Sequence, residues 1–365
     1  MKYTIIILSV LLASFPLMGQ QNDREEERAQ VEKHRQETAR AAEFFLDKGN
    51  SVDERIKVIT PYAYVYETKQ TEGFKAIVRS REEDPRLRAV ALSRIYAPAA
   101  QDPKFQADMR RLLVDANTPQ PLRDEVLLLI GSLSQSVLPG ILEEYYALVD
   151  DKDERYREFG VSKLLMYGDA RTQQRLIEEL GSERTTLFSP AKTIELLSWA
   201  PKKDFYPVVY EVFQKTDDRA TRLMAIQVLG PYEPARGALI EVSRNSREDE
   251  ALREAALLAL YVGDRNNTVT YAQPILMDRS ASDRLKGIAL QMALDVRQSM
   301  AVRRGGTLSD VGTRRKQNKA SGVRPADDFD RLVRDIAEGK GIERSDELAE
   351  IAQRYLLLVR PPFKR

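Results

Sequence analysis

Residues able to do acid–base, nucleophilic or metal chemistry are scarce in this chain. It holds one histidine, His34, and no cysteine among 365 residues. A lone imidazole inside the charged stretch NDREEERAQVEKHRQETARAAEFFLDKG (22–49) reads as a solvated side chain, not as a base or a ligand. Without a thiol there is no disulfide, thiolate metal site or cysteine nucleophile. The patterns HExxH and GxSxG, and a glycine-rich phosphate loop ending in Lys-Ser/Thr, do not occur. ALVDDKDE (147–154) lacks the alternating ligands and glycine of a calcium loop and reads as a turn followed by a helix cap. The expected catalytic, cofactor and metal sets are therefore empty. Carboxylates are plentiful, so a pair brought together from distant helices remains an open enzymatic alternative.

What does recur is a cation. Arg55, Arg88, Arg123, Arg157, Lys192, Arg222, Arg253 and Lys286 follow one another at intervals of 30 to 35 residues, a period typical of helical repeats. Four residues after each stands an aliphatic side chain: Ile59, Leu92, Leu127, Val161, Leu196, Ile226, Leu257 and Leu290. Three after each the residue is mostly small, with Glu195 the exception. Seven after each come Tyr62, Ile95, Ile130, Leu164, Trp199, Leu229, Leu260 and Ala293. Offsets of three, four and seven share one helical face, so these positions, Trp199 included, are expected in a core. Asp84, Asp153, Asp218 and Asp249 suit helix N-caps, and Gly131, Gly168, Gly230 and Gly263 stand where such helices should stop. Between them lie further amphipathic segments, such as DPKFQADMRRLLVDA (102–116) and KDFYPVVYEVFQK (203–215). The spacing predicts helix, turn, helix, turn throughout.

The stretches DPRLRAVALSRI (84–95), DERYREFGVSKL (153–164), DDRATRLMAIQVL (217–229) and EDEALREAALLAL (248–260) resemble HEAT-type repeats, particularly the short bacterial form. The resemblance covers about residues 50–297. It implies an all-α fold, a right-handed α-solenoid of about seven to eight helical hairpins, with the eight anchor cations as a structural ladder between successive repeats. The rival reading of that row is a cationic groove for an anionic ligand. Lys192, preceded by FSPA and followed by Glu195, departs from the pattern.

The ends are of different character. MKYTIIILSVLLASFPLMGQ has the layout of a secretory signal peptide, with cleavage expected after Gly19 or Gln20; its apolar run is short for a spanning helix. The expected division is a signal peptide at 1–20, a charged N-terminal cap at 21–50, repeats over 51–299, a linker at 300–325 and a helical cap at 326–365. The segment RRGGTLSDVGTRRKQNKASGVRP (303–325) carries seven basic residues against one acidic. It reads as a tether, with Arg303, Arg304, Arg314, Arg315, Lys316 and Lys319 offering a weak contact to an anionic surface. Lys and Arg (57) almost cancel Asp and Glu (56), which opposes nucleic acid as a partner. Together these features predict an exported, non-enzymatic protein-binding scaffold of the cell envelope, periplasmic or extracellular. A helical-repeat lyase-like enzyme, a small-molecule binder and, further off, a nucleic-acid-binding HEAT-like protein are the alternatives.

Overall fold

Helices start where the sequence supplies an oxygen to receive the free N–H groups of a first turn. Asp84 accepts from the backbone of Arg86 at 2.8 Å, Asp153 from Arg155 at 2.9 Å, Asp218 from Thr221 at 2.8 Å and Asp249 from Ala251 at 2.9 Å. All four expected N-caps are therefore caps, each contributing about 1 kcal/mol to its helix. Ser51 closes a capping box with Glu54. The computed structural model describes residues 20–65, 67–133, 140–182, 187–303, 325–340 and 345–359. Among them every regular element is a helix and no strand occurs. Apart from Gln20, the expected leader at 1–20 lies outside the described residues.

The chain divides into two compact units, Met1–Asp151 and Lys152–Arg365. The first holds α1 (Gln20–Leu46), α2 (Val52–Ile59), α3 (Thr68–Arg79), α4 (Pro85–Ser93), α5 (Tyr96–Gln101), α6 (Pro103–Val114), α7 (Gln120–Ser132) and α8 (Leu142–Leu148). Here α1 pairs with α2, α3 with α4 and α6 with α7, while α2, α4 and α7 form one layer and α1 and α3 belong to the other. Phe45 of α1 stacks on Phe74 of α3 at 4.6 Å between ring centres. The aliphatic row four residues after each anchor lies between the layers: Ile59 and Leu92 are wholly buried, and only Leu127 is half-buried.

The second unit begins with α9 (Glu154–Met166), α10 (Ala170–Gly181), α11 (Pro190–Ser198), α12 (Tyr206–Lys215) and α13 (Arg219–Leu229). It continues with α14 (Arg236–Arg244), α15 (Glu250–Gly263), α16 (Thr268–Met277), α17 (Asp283–Arg303), α18 (Pro325–Glu338) and α19 (Asp346–Val359). The even-numbered helices α10 to α16 each pack on the next odd-numbered one, and α9, α11, α13, α15 and α17 contact in sequence as a layer. Val161, Leu196, Ile226, Leu257 and Leu290 are fully buried. At the far end α18 and α19 pack on each other and α19 on α17. Asp330 of α18, 5 % exposed, accepts from Arg297 of α17 at 2.6 Å and from the Tyr355 hydroxyl of α19 at 3.0 Å.

Two expectations about helix ends need correction. Gly131 does not stop its helix, because α7 runs on to Ser132. Trp199 is 44 % exposed, whereas Ala200 is wholly buried: Lys192 is the third residue of α11 and not the fourth, so every buried offset counted from it falls one residue later. Gly168 does end α9, at φ +76°, with its N–H on Leu165 and the N–H of Asp169 on Leu164, a Schellman closure. Gly230 and Gly263 act through space instead. A Cβ on Gly263 would lie 1.7 Å from the Gly230 carbonyl oxygen, and one on Gly230 would lie 2.4 Å from that of Ala259, so α13 and α15 meet backbone to backbone at their C-terminal ends.

Replacing Gly263 by alanine is expected to force the two helices apart and lower stability by about 1–3 kcal/mol, the usual cost of overpacking. Gly237→Ala, on α14 with nothing within 4 Å of the added carbon, should be neutral or stabilising by up to about 1 kcal/mol. Denaturant unfolding of both variants checks the contrast.

Candidate functional site

The repeated cation occupies a fixed place in each hairpin. Arg55, Arg88, Arg123, Arg157, Arg222, Arg253 and Lys286 are each the fourth residue of their helix, while Lys192 is the third of α11. Arg55 donates Nε to the Phe45 carbonyl at 2.6 Å, Arg88 to that of Val78 at 3.0 Å, Arg123 to that of Leu113 at 2.7 Å and Arg253 to that of Ser243 at 3.2 Å. Each acceptor is the penultimate residue of the preceding helix. Carbonyls there have no partner within their own helix and carry the negative end of its dipole. A guanidinium supplies both a donor and a positive charge. These four arginines are between 3 % and 5 % exposed.

The other arm of the guanidinium reaches forward. Arg55 Nη1 meets Glu83 at 3.3 Å, Arg123 pairs with Asp151, Arg222 meets Glu248 at 2.8 Å and Arg253 meets Asp278 at 2.7 Å. Every one of these carboxylates lies in the turn that precedes the next anchor-bearing helix. The arginine thus holds the first helix of its own pair and the turn of the following one. Arg222 lacks the carbonyl bond, because α12 extends to Lys215 and the residue ten before the anchor is Val212; it lies over the Phe213 ring at 5.8 Å instead. Lys192, shifted by one residue, meets Glu158 at 3.0 Å and Glu195 at 2.9 Å. Arg157 donates to the carbonyls of Lys152 and Leu187, and Lys286 is buried at 4 % exposure. Among the described residues, four of the eight anchors therefore end on the penultimate carbonyl of the preceding helix, Arg157 ends on two other carbonyls, and four anchors end on carboxylates of the next turn, three of the first four doing both.

Charge also links the second helices to one another: Asp53 with Arg86 at 3.0 Å, Arg219 with Asp249 at 3.0 Å and Glu254 with Arg284 at 2.9 Å. Titration follows these contacts. The Lys75 ammonium and the backbone N–H of Phe105 hold Asp102 below the usual carboxylate range. Burial pushes Asp278 up, but its bonds from Ser280 and Arg253 outweigh that and leave it lowered. Burial and the Asp264 carboxylate raise the Tyr271 hydroxyl to about 12. His34 is exposed, its ring 5.7 Å from that of Tyr62. No group of three or more His, Cys, Asp or Glu able to hold a metal occurs among the described residues. Of the expected basic contact set, Arg304, Arg314, Arg315, Lys316 and Lys319 lie outside the described residues, and Arg303 is the last residue of α17.

A second periodic position was not singled out by the sequence. Nine residues after each anchor come Tyr64, Ala97, Ser132, Met166, Pro201, Pro231 and Val262, all exposed and none charged, and then Asp295. In the second unit these residues sit at the C-terminal ends of the second helices beside exposed Tyr167 and Trp199. Neighbouring ends approach closely there: a Cβ on Gly168 would lie 3.4 Å from Pro201 Cγ, and one on Gly263 3.2 Å from the Pro231 nitrogen. The same spacing that revealed the anchors could have revealed this row, had exposure rather than apolarity been sought.

No family model matches the chain, and no curated protein matches it. Among solved structures it is similar to human deoxyhypusine hydroxylase in complex with glycerol, at 17% identity over 73% of this chain and 97% of that one, with a TM-score of 0.29. A likeness of that degree carries nothing about residues or activity.

Arg253→Ala strands the Ser243 carbonyl and is expected to cost about 1–3 kcal/mol; Arg253→Lys should recover only part, since one ammonium cannot span both acceptors. Chemical denaturation measures both. Acid should act on the same contacts. Asp102 and Asp278 have folded pKa values below their unfolded ones, so their stabilisation is complete above the ordinary range near about 3.9 and is lost as pH falls through the lowered value. The melting temperature should drop between about pH 5 and about pH 2, with a shallower acid limb in Asp278→Asn, which lacks that contribution from the outset.

Proposed function

We propose that the protein is an exported, non-enzymatic scaffold of the cell envelope. On this reading its hairpins continue as a right-handed α-solenoid of seven to eight HEAT-like repeats and bind a protein partner. Export rests on the leader-like sequence at 1–20. The solenoid reading is supported by the guanidinium of Arg55, Arg123, Arg222 and Arg253, which reaches the turn before the next anchor helix, a link that repeats and needs no closure.

The observation that carries the binding role is the uncharged edge of the second unit. Met166 is 57 % exposed, Trp199 44 % and Val262 69 %. They share one end of one helix layer in a chain that is 31% charged. Scattered apolar side chains are ordinary on a surface, but aromatic, Met and Pro residues aligned along an edge are the composition of a contact surface. Apart from Leu258 on α15, the large apolar side chains of the same helices are buried or half-buried, which leaves these without a packing role.

A photoreactive residue placed at Met166 or at Val262 in cells should capture one and the same envelope protein, and one at exposed Gln214 on α12 should not. Trp199→Asp should reduce that capture several-fold without altering the melting temperature. Equal capture from all three positions, or none from any, overturns the reading.

A further inference from the structure

Of the arginine anchors, Arg88 is the one that meets no carboxylate among the described residues; Arg55, Arg123, Arg157, Arg222 and Arg253 each pair with at least one. Its Nε and Nη2 both donate to the Val78 carbonyl, at 3.0 and 2.9 Å. In Arg123 and Arg253 the Nη2 reaches forward instead, to Asp151 and Asp278. Arg88 is 4 % exposed, and its Nη1 makes no bond yet is not closed off from solvent. Taking a charge out of water with no opposite charge to meet it is unfavourable. Burial and the nearby charge of Arg81 hold the Arg88 guanidinium below its ordinary range. Arg81 is exposed and makes no ion pair or hydrogen bond among the described residues.

The register shows which charge is missing. Arg55 and Arg222 meet Glu83 and Glu248, which stand five residues before the next anchors, Arg88 and Arg253. Arg88 lies on α4, which packs on α7, and five residues before the α7 anchor Arg123 stands Thr118. Threonine brings no charge, and it ends at the γ position where glutamate continues to a carboxylate. Thr118 is 8 % exposed, and its Oγ1 has no partner either. Asp115, eight before Arg123, stands where Asp278 stands before Lys286. Its carboxylate instead accepts the backbone and side-chain N–H of Asn117, at 2.9 and 3.2 Å, and forms no ion pair with Arg88. One open nitrogen and a short side chain in the carboxylate slot select for a small anion. Exposed Glu82 beside Arg81 disfavours a polyanion.

We propose that Arg88, with Arg81, binds one small monovalent anion in the place that Glu83 and Glu248 fill in the other hairpins. The anion is taken either free from solution or as the carboxylate of another protein's Asp, Glu or C-terminus. It accepts from Arg88 Nη1, while Nε and Nη2 stay on Val78 and Arg81 closes over it from the exposed turn. The site lies within the first unit and does not depend on the docking edge of the second.

Melting of the full chain at constant ionic strength, with a bulky sulfonate progressively replaced by acetate or by chloride, tests it. At least one of the two should raise the melting temperature saturably, by about 2–4 °C, with half-saturation at or below about 20 mM. An Asp- and Glu-containing peptide that acts at concentrations at least tenfold below acetate assigns the site to a displayed carboxylate. A peptide no better than acetate assigns it to a free anion. Thr118→Glu, which supplies the carboxylate internally, should raise the melting temperature in sulfonate alone and cut the anion response at least fivefold; Thr118→Gln should give no such rise. Arg81→Gln, at an exposed position, should weaken the anion about threefold while leaving the melting temperature in sulfonate in place. Should Thr118→Glu fail to fold, the comparison with Arg81→Gln decides alone. A rise that does not depend on which anion replaces the sulfonate, or one unchanged in the variants that fold, overturns the proposal.

Discussion

The contact on which the rest depends is a guanidinium placed on the open end of a helix. The last carbonyls of any helix have no partner inside it, and in a stack of short helices those ends are buried beside the following turn. Arginine at the fourth position of the next helix solves this with Nε, and its Nη atoms remain free to reach the neighbouring hairpin. A lysine has a single nitrogen for both tasks. Lys192 shows the consequence: with its anchor one residue early, it turns to two carboxylates. Arg222 shows the converse, keeping the carboxylate but losing the carbonyl where the turn between its two helices, 216–218, is shorter than the turns 47–51, 80–84, 115–119 and 245–249 of the linked pairs. The link therefore depends on turn length as much as on residue type.

Because that contact lies at the turns, the hairpins have two unlike edges. At the turn edge, acidic residues come in close succession with separate tasks: Glu83 and Asp84, Asp151 and Asp153, Glu248 and Asp249. The first of each pair receives the arginine of the previous hairpin, and the second caps the helix that follows. At the opposite edge, where the second helices end, α13 and α15 are held by backbone approach through Gly230 and Gly263. Packing of that kind needs no charge, which is why the exposed row there can be Met, Pro and Val.

Much of this was legible from spacing alone. The period, the four aspartate caps and the buried row follow from residue types that each have one dominant physical use in a helix. The acidic pairs were legible in principle, since EED and RED precede two of the helices, but a carboxylate reads as surface until its arginine is placed in space. Trp199 was misplaced because Lys192 stands one residue early in its helix, so the buried seventh position falls on Ala200. Gly131 failed for the opposite reason, a helix that continued through its expected stop. The contact of Gln70 had no sequence signal: its amide, on α3, donates to the Ala39 carbonyl of α1, and only that packing leaves its oxygen buried without a donor.

The C-terminal helices extend the same logic to the end of the array. A stack of hairpins leaves its last apolar face uncovered, and α18 and α19 meet α17 there with Phe329, Val333, Ile336 and Tyr355 buried. Asp330 of α18 provides a carboxylate to Arg297 of α17, and Tyr355 adds its hydroxyl on the other side. The Arg297 guanidinium lies 4.8 Å from the Tyr355 ring centre, which joins all three helices around one half-buried arginine and its buried carboxylate. A basic group meeting a carboxylate from the element that follows is the connection used between hairpins, now made to helices outside the repeat period. The terminal pair is thus bound to the array by the rule that builds it.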